Sequence, residues 1–178
     1  IGYHPTKLPK GRGRAAVAWI ILGEVEPAAT FFVIDKGVDS GEIIISESVI
    51  LSGNEYAQDV IDKLLIGISN GLDKVLPKLK QGEIDLCPQE ENESTYLESR
   101  RPNDGLIDWK DTSNNIYRLI RAVSKPLPGA FTFINDFKII IWRAEVINGF
   151  KIKGVIGRIL KVIDQGFYVQ TGEGVLLV

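Results

Sequence analysis

The run Pro126-Leu127-Pro128-Gly129 divides the sequence into two parts with different hydrophobic patterns. Before it, apolar residues recur at helical spacing over long segments. After it, short β-rich runs alternate with glycine-bearing turns, a pattern typical of a small antiparallel barrel. We therefore predict an OB-like β-barrel domain over residues 129–178, preceded by a linker and a helix at 102–128. Thr112 or Ser113 is expected to cap that helix.

Residues 1–101 mix helical and strand patterns, which indicates an α/β domain. Ala15–Leu22 contains the helix-forming residues alanine and leucine and should form a short helix that ends at Gly23. Residues 30–51 are predicted to form a β-hairpin around the turn Asp35–Gly41.

A long amphipathic helix should follow the hairpin. We expect Ser52 or Asn54 to cap it, and its apolar residues recur at the i, i+3, i+4 and i+7 spacing of a buried helix face. The helix should run to about Leu79, with Pro77 and Gly82 marking its end.

The segment 83–101 is polar, and a strand pair is expected between residues 85–87 and 95–97. At the other end, Ile1-Gly2-Tyr3 resembles the end of a buried strand. We therefore expect the catalytic domain to be represented by its C-terminal portion, with further strands upstream of Ile1.

The net charge is −2 and the pI is about 5.5, so the chain lacks the basic character of a general nucleic-acid binder. Its first 16 residues, however, contain four basic side chains and no acidic one, which favours a local anion site.

Cys87 is the only cysteine, so a disulfide within the chain is excluded. We expect Cys87 to be a small buried apolar residue. We also expect the protein to be cytoplasmic, because free thiols are usual in a reducing compartment. The longest apolar run, Ala15–Leu22, is too short for a bilayer, and no membrane partner is expected.

The only histidine, His4, stands where a strand should end. Ligands of open α/β sheets bind at such strand ends, and an imidazole can exchange protons near neutral pH. An ordinary hydrogen-bonded loop histidine is the alternative. Asp39 lies in a glycine-flanked turn that could bring a carboxylate to the histidine, and Asp35 is the rival carboxylate.

Arg12 and Arg14 flank Gly13 in the basic loop that follows His4. A guanidinium group can bind a carboxylate or phosphate with two parallel hydrogen bonds, and glycine lets the backbone approach a ligand closely. The loop is therefore either an anion site or simply a solvated basic loop. Its spacing differs from the Walker and dinucleotide glycine motifs.

Taken in order, these segments resemble the folate-dependent formyltransferase family. The family pattern is Asn-x-His-x-Ser-x-Leu-Pro-x-x-Arg-Gly, followed after roughly 35 residues by an Asp-x-Gly turn. The matching residues are His4, Thr6, Leu8-Pro9, Arg12-Gly13 and Asp39-Ser40-Gly41, and later Asp108-Trp109, Arg121-Ala122 and Pro128-Gly129-Ala130. The resemblance implies the C-terminal part of a Rossmann-like formyltransferase domain, followed by a small barrel.

The same resemblance implies transfer of a formyl group from 10-formyltetrahydrofolate, the co-substrate, to an amine, with no metal. His4 and Asp39 would be the catalytic residues. The implied folate-binding residues are Thr6, Lys7, Leu8, Pro9, Arg14, Asp35, Lys36, Gly37 and Val38. One position departs from the pattern, because Gly2 stands where the family has an asparagine whose amide would stabilise an oxyanion.

Residues 76–146 resemble enzymes that formylate a nucleotide-linked 4-amino sugar, so we expect an acceptor of that class, with Arg12 and Arg100 as candidate phosphate ligands. Transfer to methionyl-tRNA is the alternative, which makes tRNA a second candidate partner. A folate-dependent deformylase and a non-catalytic binding homologue are the remaining hypotheses, the last of them prompted by Gly2.

Overall fold

The computed structural model describes all 178 residues, and the chain divides into two compact units, residues 1–100 and 101–178. The elements of the first unit are β1 (Gly2–Thr6), β2 (Arg12–Gly13), α1 (Ala16–Leu22), β3 (Pro27–Phe32), β4 (Ile43–Ser48), α2 (Ala57–Gln81), a 3₁₀ turn (Glu91–Glu93) and β5 (Tyr96–Leu97). Those of the second are a 3₁₀ turn (Pro102–Gly105), α3 (Ser113–Val123), β6 (Ala130–Ile134), β7 (Phe137–Ile141), β8 (Glu145–Ile147), β9 (Ile159–Ile163), β10 (Gly166–Gln170) and β11 (Val175–Leu177).

The first unit is built on an antiparallel sheet in the order β1-β3-β4. The predicted hairpin is present as β3 and β4, and α1 ends at Gly23, which has the left-handed φ of 89° that favours glycine. His4 was expected where a strand ends, but β1 continues past it to Thr6. Pro5 is tolerated there because β1 is an edge strand and the register shifts between His4 and Thr6.

Helix α2 packs closely on this sheet through two glycines. A Cβ at Gly67 would lie 3.1 Å from the Cβ of Ala29, and a Cβ at Gly71 would lie 2.7 Å from the ring of Phe31. The apolar stripe of the helix is only partly buried: Val60 and Leu64 are in the core, whereas other members of the stripe are exposed. The sheet and α2 thus form one core, with β1 at its edge.

The start of α2 differs from the sequence prediction, whereas its end at Gly82 agrees with it. Its N-cap is Tyr56, whose backbone N–H donates to Asp59, and neither Ser52 nor Asn54 caps it. Pro77 lies inside the helix, which continues to Gln81 and ends at Gly82 in a left-handed conformation. A proline lacks a backbone N–H and so removes one hydrogen bond of the helix. Near the end of α2, the loss of this one bond does not terminate the helix.

The segment after α2 pairs with distant strands. Cys87 forms a single bridge with Ile43, and β5 runs parallel to β2, with Arg12 opposite Tyr96. The strand pair expected between residues 85–87 and 95–97 is therefore wrong, because each partner is supplied by a remote part of the chain. Cys87 is also exposed and not a buried filler.

The second unit contains α3 and two separate antiparallel sheets. Thr112 caps α3 by accepting a hydrogen bond from the backbone N–H of Asn115, as predicted for one of two candidates. Strands β6 and β7 form one hairpin, and the other sheet has the order β8-β11-β10-β9. No closed barrel is found, because these two sheets do not join into one ladder. None of the helices of the chain has the length and apolar character needed to cross a membrane.

Candidate active site around His4 and Asp39

His4 is buried at the sheet edge, with 5% of its surface exposed. It lies opposite Thr30 of β3, so the strand pairing fixes its backbone. Its Nδ1 lies 3.2 Å from Oδ2 of Asp39, and its Nε2 lies 2.7 Å from the carbonyl oxygen of Gly11. Both partners are acceptors, so a protonated ring can donate to both at once, while a neutral ring can donate to only one.

Asp39 reaches His4 from the turn between β3 and β4. Its φ of 53° lies in the left-handed region, which aspartate enters more readily than most residues. The Oδ2 atom that faces His4 also accepts a hydrogen bond of 2.9 Å from the backbone N–H of Gly13. Asp35, the rival carboxylate, instead accepts from the Gly37 N–H and the Ser40 hydroxyl within the turn. The structure therefore pairs His4 with Asp39.

The loop after His4 is held by internal hydrogen bonds. Thr6 is fully buried, and its hydroxyl donates to the carbonyl of Lys10 over 2.7 Å. The carbonyl of Thr6 accepts from the hydroxyl of Thr30 at 2.6 Å. The Leu8–Pro9 peptide bond is cis. These contacts present the Gly11 carbonyl to His4, and they leave the Thr6 side chain inside the loop.

Arg12 has a different environment from the one the sequence suggested. Its side chain is fully buried and donates to Gln89, Glu91 and Tyr96 at distances of 2.7–3.2 Å. Burial disfavours the charged guanidinium, but the bonds with Glu91 and Tyr96 hold its pKa above the usual value. The expectation that Arg12 binds a ligand anion is therefore wrong, because its donors already serve partners within the protein.

Gln89, Glu91 and Tyr96 were not predicted as part of the site. They come from the polar segment that follows α2, where no hydrophobic periodicity points inward. Only the pairing of β5 with β2 brings them to Arg12. A parallel bridge between residues more than 80 positions apart leaves no local trace in a sequence.

The nine residues implied for folate binding occupy three kinds of position. Lys7, Leu8 and Pro9 line a groove of about 670 Å³, together with Lys10 and a wall that includes Glu24 and Glu26. Arg14 and the turn residues Asp35, Lys36, Gly37 and Val38 are exposed, whereas Thr6 is buried. His4 and Asp39 do not line this groove.

The space beside Gly2 is filled by Phe32, its direct partner across the β1–β3 pair. A Cβ built on Gly2 would lie 2.6 Å from Cζ of the Phe32 ring, and Phe32 is only 5% exposed. Distances below 3.0 Å are essentially never seen for a real Cβ, so a side chain at this position requires the ring to move. The glycine is thus matched to the aromatic ring opposite it.

Comparison with known proteins finds one matching family profile and several similar solved structures. Residues 100–178 match the family profile described as formyl transferase, C-terminal domain. HypX from Aquifex aeolicus, in complex with tetrahydrofolic acid, is 19% identical with a TM-score of 0.81, over 98% of this chain and 30% of that one.

An N-formyltransferase from Helicobacter canadensis, in complex with folinic acid and dTDP-3-aminofucose, is 25% identical with a TM-score of 0.76, over 99% of this chain and 64% of that one. Methionyl-tRNA formyltransferase from Clostridium thermocellum is 24% identical with a TM-score of 0.67, over 83% of this chain and 63% of that one. The chain therefore spans about a third of the length of HypX and just under two thirds of the other two.

Proposed function

We propose that this chain is a member of the formyltransferase family, because residues 100–178 match its C-terminal domain, and that it takes part in transfer of a formyl group from 10-formyltetrahydrofolate to a primary amine. The observation that carries this proposal is the contact of buried His4 with half-buried Asp39, in which Nδ1 and Oδ2 are 3.2 Å apart. A carboxylate that contacts one ring nitrogen fixes the orientation of the imidazole and leaves the other nitrogen for proton transfer.

In this proposal the folate supplies the formyl carbon and His4 handles the proton. The Nε2 of His4 contacts the Gly11 carbonyl, so the formyl oxygen or the leaving nitrogen has to take the place of that carbonyl. Asp39 holds the ring in its orientation, a role that needs no contact with substrate. The loop from Leu8 to Gly11 is the part that has to shift.

The exposed members of the folate set are the ones available to a ligand. Lys7 and Pro9 border a groove whose volume suits a ligand of drug size, and Arg14 and Lys36 offer cations to carboxylates. Thr6 contributes by shaping the loop, because its side chain is buried. We assign no metal to this chemistry, and we place the protein in the cytoplasm on the strength of its single free cysteine.

We propose a nucleotide-linked amino sugar as the acceptor. The Helicobacter canadensis enzyme, which binds such a sugar, is similar over 99% of this chain, against 83% for the methionyl-tRNA enzyme. One observation favours tRNA instead. Residues 101–178 carry 11 basic and 7 acidic side chains, a net charge of +4, while residues 1–100 carry 10 basic and 16 acidic ones, a net charge of −6.

A non-catalytic folate-binding homologue is the second candidate function. It is favoured by Gly2, which offers no side-chain donor to an oxyanion, and by Phe32, whose ring fills the adjacent space. Loss of one such donor costs roughly 3 kcal/mol of transition-state stabilisation. The contact between His4 and Asp39 favours an active site, so turnover has to be measured.

The test is a formyl-transfer assay with 10-formyltetrahydrofolate, using nucleotide-linked 4-amino sugars and methionyl-tRNA as competing acceptors. Transfer to a sugar supports the proposal, transfer only to the tRNA reverses the choice of acceptor, and release of formate identifies a deformylase. Folate binding by calorimetry without turnover selects the binding homologue. A matched His4→Ala variant should lower turnover at least about a hundredfold.

A further inference from the structure

The side chain of Gln89 uses its full hydrogen-bonding capacity at the back of the Asp39 turn. Its Nε2 donates to the carbonyl of Asp39 at 2.9 Å and to the carbonyl of Gly41 at 2.6 Å. Its Oε1 accepts from Nε and Nη2 of Arg12 at 3.2 and 3.1 Å. A carboxamide has two N–H donors and one carbonyl acceptor, so each is occupied.

Arg12 fixes which way this amide points. A guanidinium only donates hydrogen bonds, so the end of Gln89 that faces it has to be the oxygen. The N–H₂ end is thereby directed at the turn. Arg12 is fully buried and is held in place by Glu91 and Tyr96, which makes it a rigid support for the amide.

The residue that follows Arg12 holds the other end of the same aspartate. The backbone N–H of Gly13 donates to Oδ2 of Asp39, the atom that faces His4. Arg12, through Gln89, therefore secures the backbone of Asp39, and Gly13 secures its carboxylate. Asp39 needs both contacts because its left-handed φ of 53° is costly for a residue other than glycine.

We propose that Gln89 is a positioning residue for formyl transfer, one that keeps the Asp39 carboxylate in register with His4. The expected effect on kcat rests on the proposed function, whereas the effect of Gln89 on the position of Asp39 does not. Gln89 acts through Asp39 and touches no reacting atom. Loss of its N–H donors should release the turn and separate the carboxylate from the imidazole.

The variant that isolates this role is Gln89→Glu. It keeps an oxygen acceptor for Arg12, but it replaces the amide N–H₂ by a second oxygen. The two hydrogen bonds to the carbonyls of Asp39 and Gly41 are thereby lost. We expect kcat to fall about 10- to 100-fold, since displacements near 1 Å are worth that much. KM for the folate should change less than about threefold, because the variant leaves the contacts that bind folate in the ground state unchanged. Gln165→Glu, an exposed glutamine in the β9–β10 turn, is the matched control.

A second readout is independent of activity. His4 is the sole histidine, so its ring ¹⁵N resonances in NMR spectra report directly on its contact with Asp39. In Gln89→Glu these resonances should move toward those of Asp39→Asn, while in Gln165→Glu they should match the wild type. If the wild-type chain shows no formyl transfer, the proposed function fails, yet the NMR comparison still decides whether Gln89 positions Asp39.

Unchanged kcat together with unchanged His4 resonances in a folded Gln89→Glu variant would overturn the inference. If that variant does not fold, Gln89→Asn replaces it; the shorter amide should produce the same two changes in weaker form. Failure of both variants to fold would also overturn the inference, since Gln89 would then serve the stability of the unit and not the position of Asp39.

Discussion

Replacing Gly2 by asparagine tests whether the ring of Phe32 excludes a side chain from the position two residues before His4. The added Cβ would lie 2.6, 2.9 and 3.1 Å from the Cζ, Cε1 and Cε2 atoms of that ring. Because Phe32 is 5% exposed, the ring can move only by displacing its neighbours in the core. Overpacking of this kind costs about 1–3 kcal/mol of unfolding free energy.

Shortening the opposing side chain should relieve that cost. Phe32→Leu alone should destabilise by about 1 kcal/mol, the usual scale for an apolar exchange in a core. It removes the ring atoms that the new Cβ would meet. The double variant should therefore be more stable than the sum of the single changes predicts, with a favourable coupling of about 1–2 kcal/mol between positions 2 and 32.

The cycle is measured by guanidinium unfolding of the wild type, both single variants and the double variant. The same four proteins are assayed for formyl transfer, and the double variant should exceed Phe32→Leu in kcat by up to about a hundredfold if an amide donor was the missing element. Additivity within about 0.5 kcal/mol, with Gly2→Asn as stable as the wild type, would refute the packing argument. A favourable coupling between positions 2 and 32 without a gain in kcat would leave the packing argument intact. It would refute only the argument that a missing amide donor limits kcat.

Three further outcomes are expected. Asp39→Asn should lower kcat at least about a hundredfold while its circular dichroism and melting temperature stay near those of the wild type; near-normal turnover would remove Asp39 from the mechanism. Gly71→Ala should destabilise by about 1–2 kcal/mol in urea unfolding despite its better helix propensity, while Asn70→Ala on the exposed face should not. Glu55→Gln should lose about 2–4 kcal/mol near pH 7, and the loss should shrink as pH falls below about 4; a loss that stays constant down to pH 2 would contradict this.

The pH dependence of the last prediction follows from the surroundings of Glu55. Burial opposes its charge, but hydrogen bonds from the Lys63 ammonium, from Ser52 and from its own backbone N–H outweigh burial and hold its pKa well below the usual range. A carboxylate with a depressed pKa stabilises the fold above its unfolded-state pKa. That stabilisation is lost as pH falls toward the folded-state pKa, and glutamine has no charge to lose.

Local signals in the sequence predicted several elements correctly. Gly23 ends α1 because a left-handed residue closes a helix, and Thr112 caps α3 because its hydroxyl satisfies a free backbone donor. The hairpin of β3 and β4 follows from its β-branched runs and the turn between them. In each case the residues that decide the structure are neighbours in the chain.

Features that depend on distant partners were not predictable in the same way. His4 was expected at the end of a strand, but pairing with β3 continues β1 past it to Thr6. The barrel predicted from evenly spaced strands is not found. The spacing of strands along the chain does not determine which strands pair. Cys87 is exposed since its backbone, and not its side chain, makes the contact with Ile43.

Arg12 shows most clearly that the type of a residue alone does not predict its role. An arginine beside glycine suits a phosphate or carboxylate ligand, but its planar fork equally suits an amide oxygen within the protein. The deciding fact is the parallel pairing of β2 with β5, which surrounds Arg12 with Gln89, Glu91 and Tyr96. Since the buried guanidinium is already paired with Glu91 and supports the Asp39 turn through Gln89, the proposed recognition of an anionic substrate requires exposed cations such as Arg14.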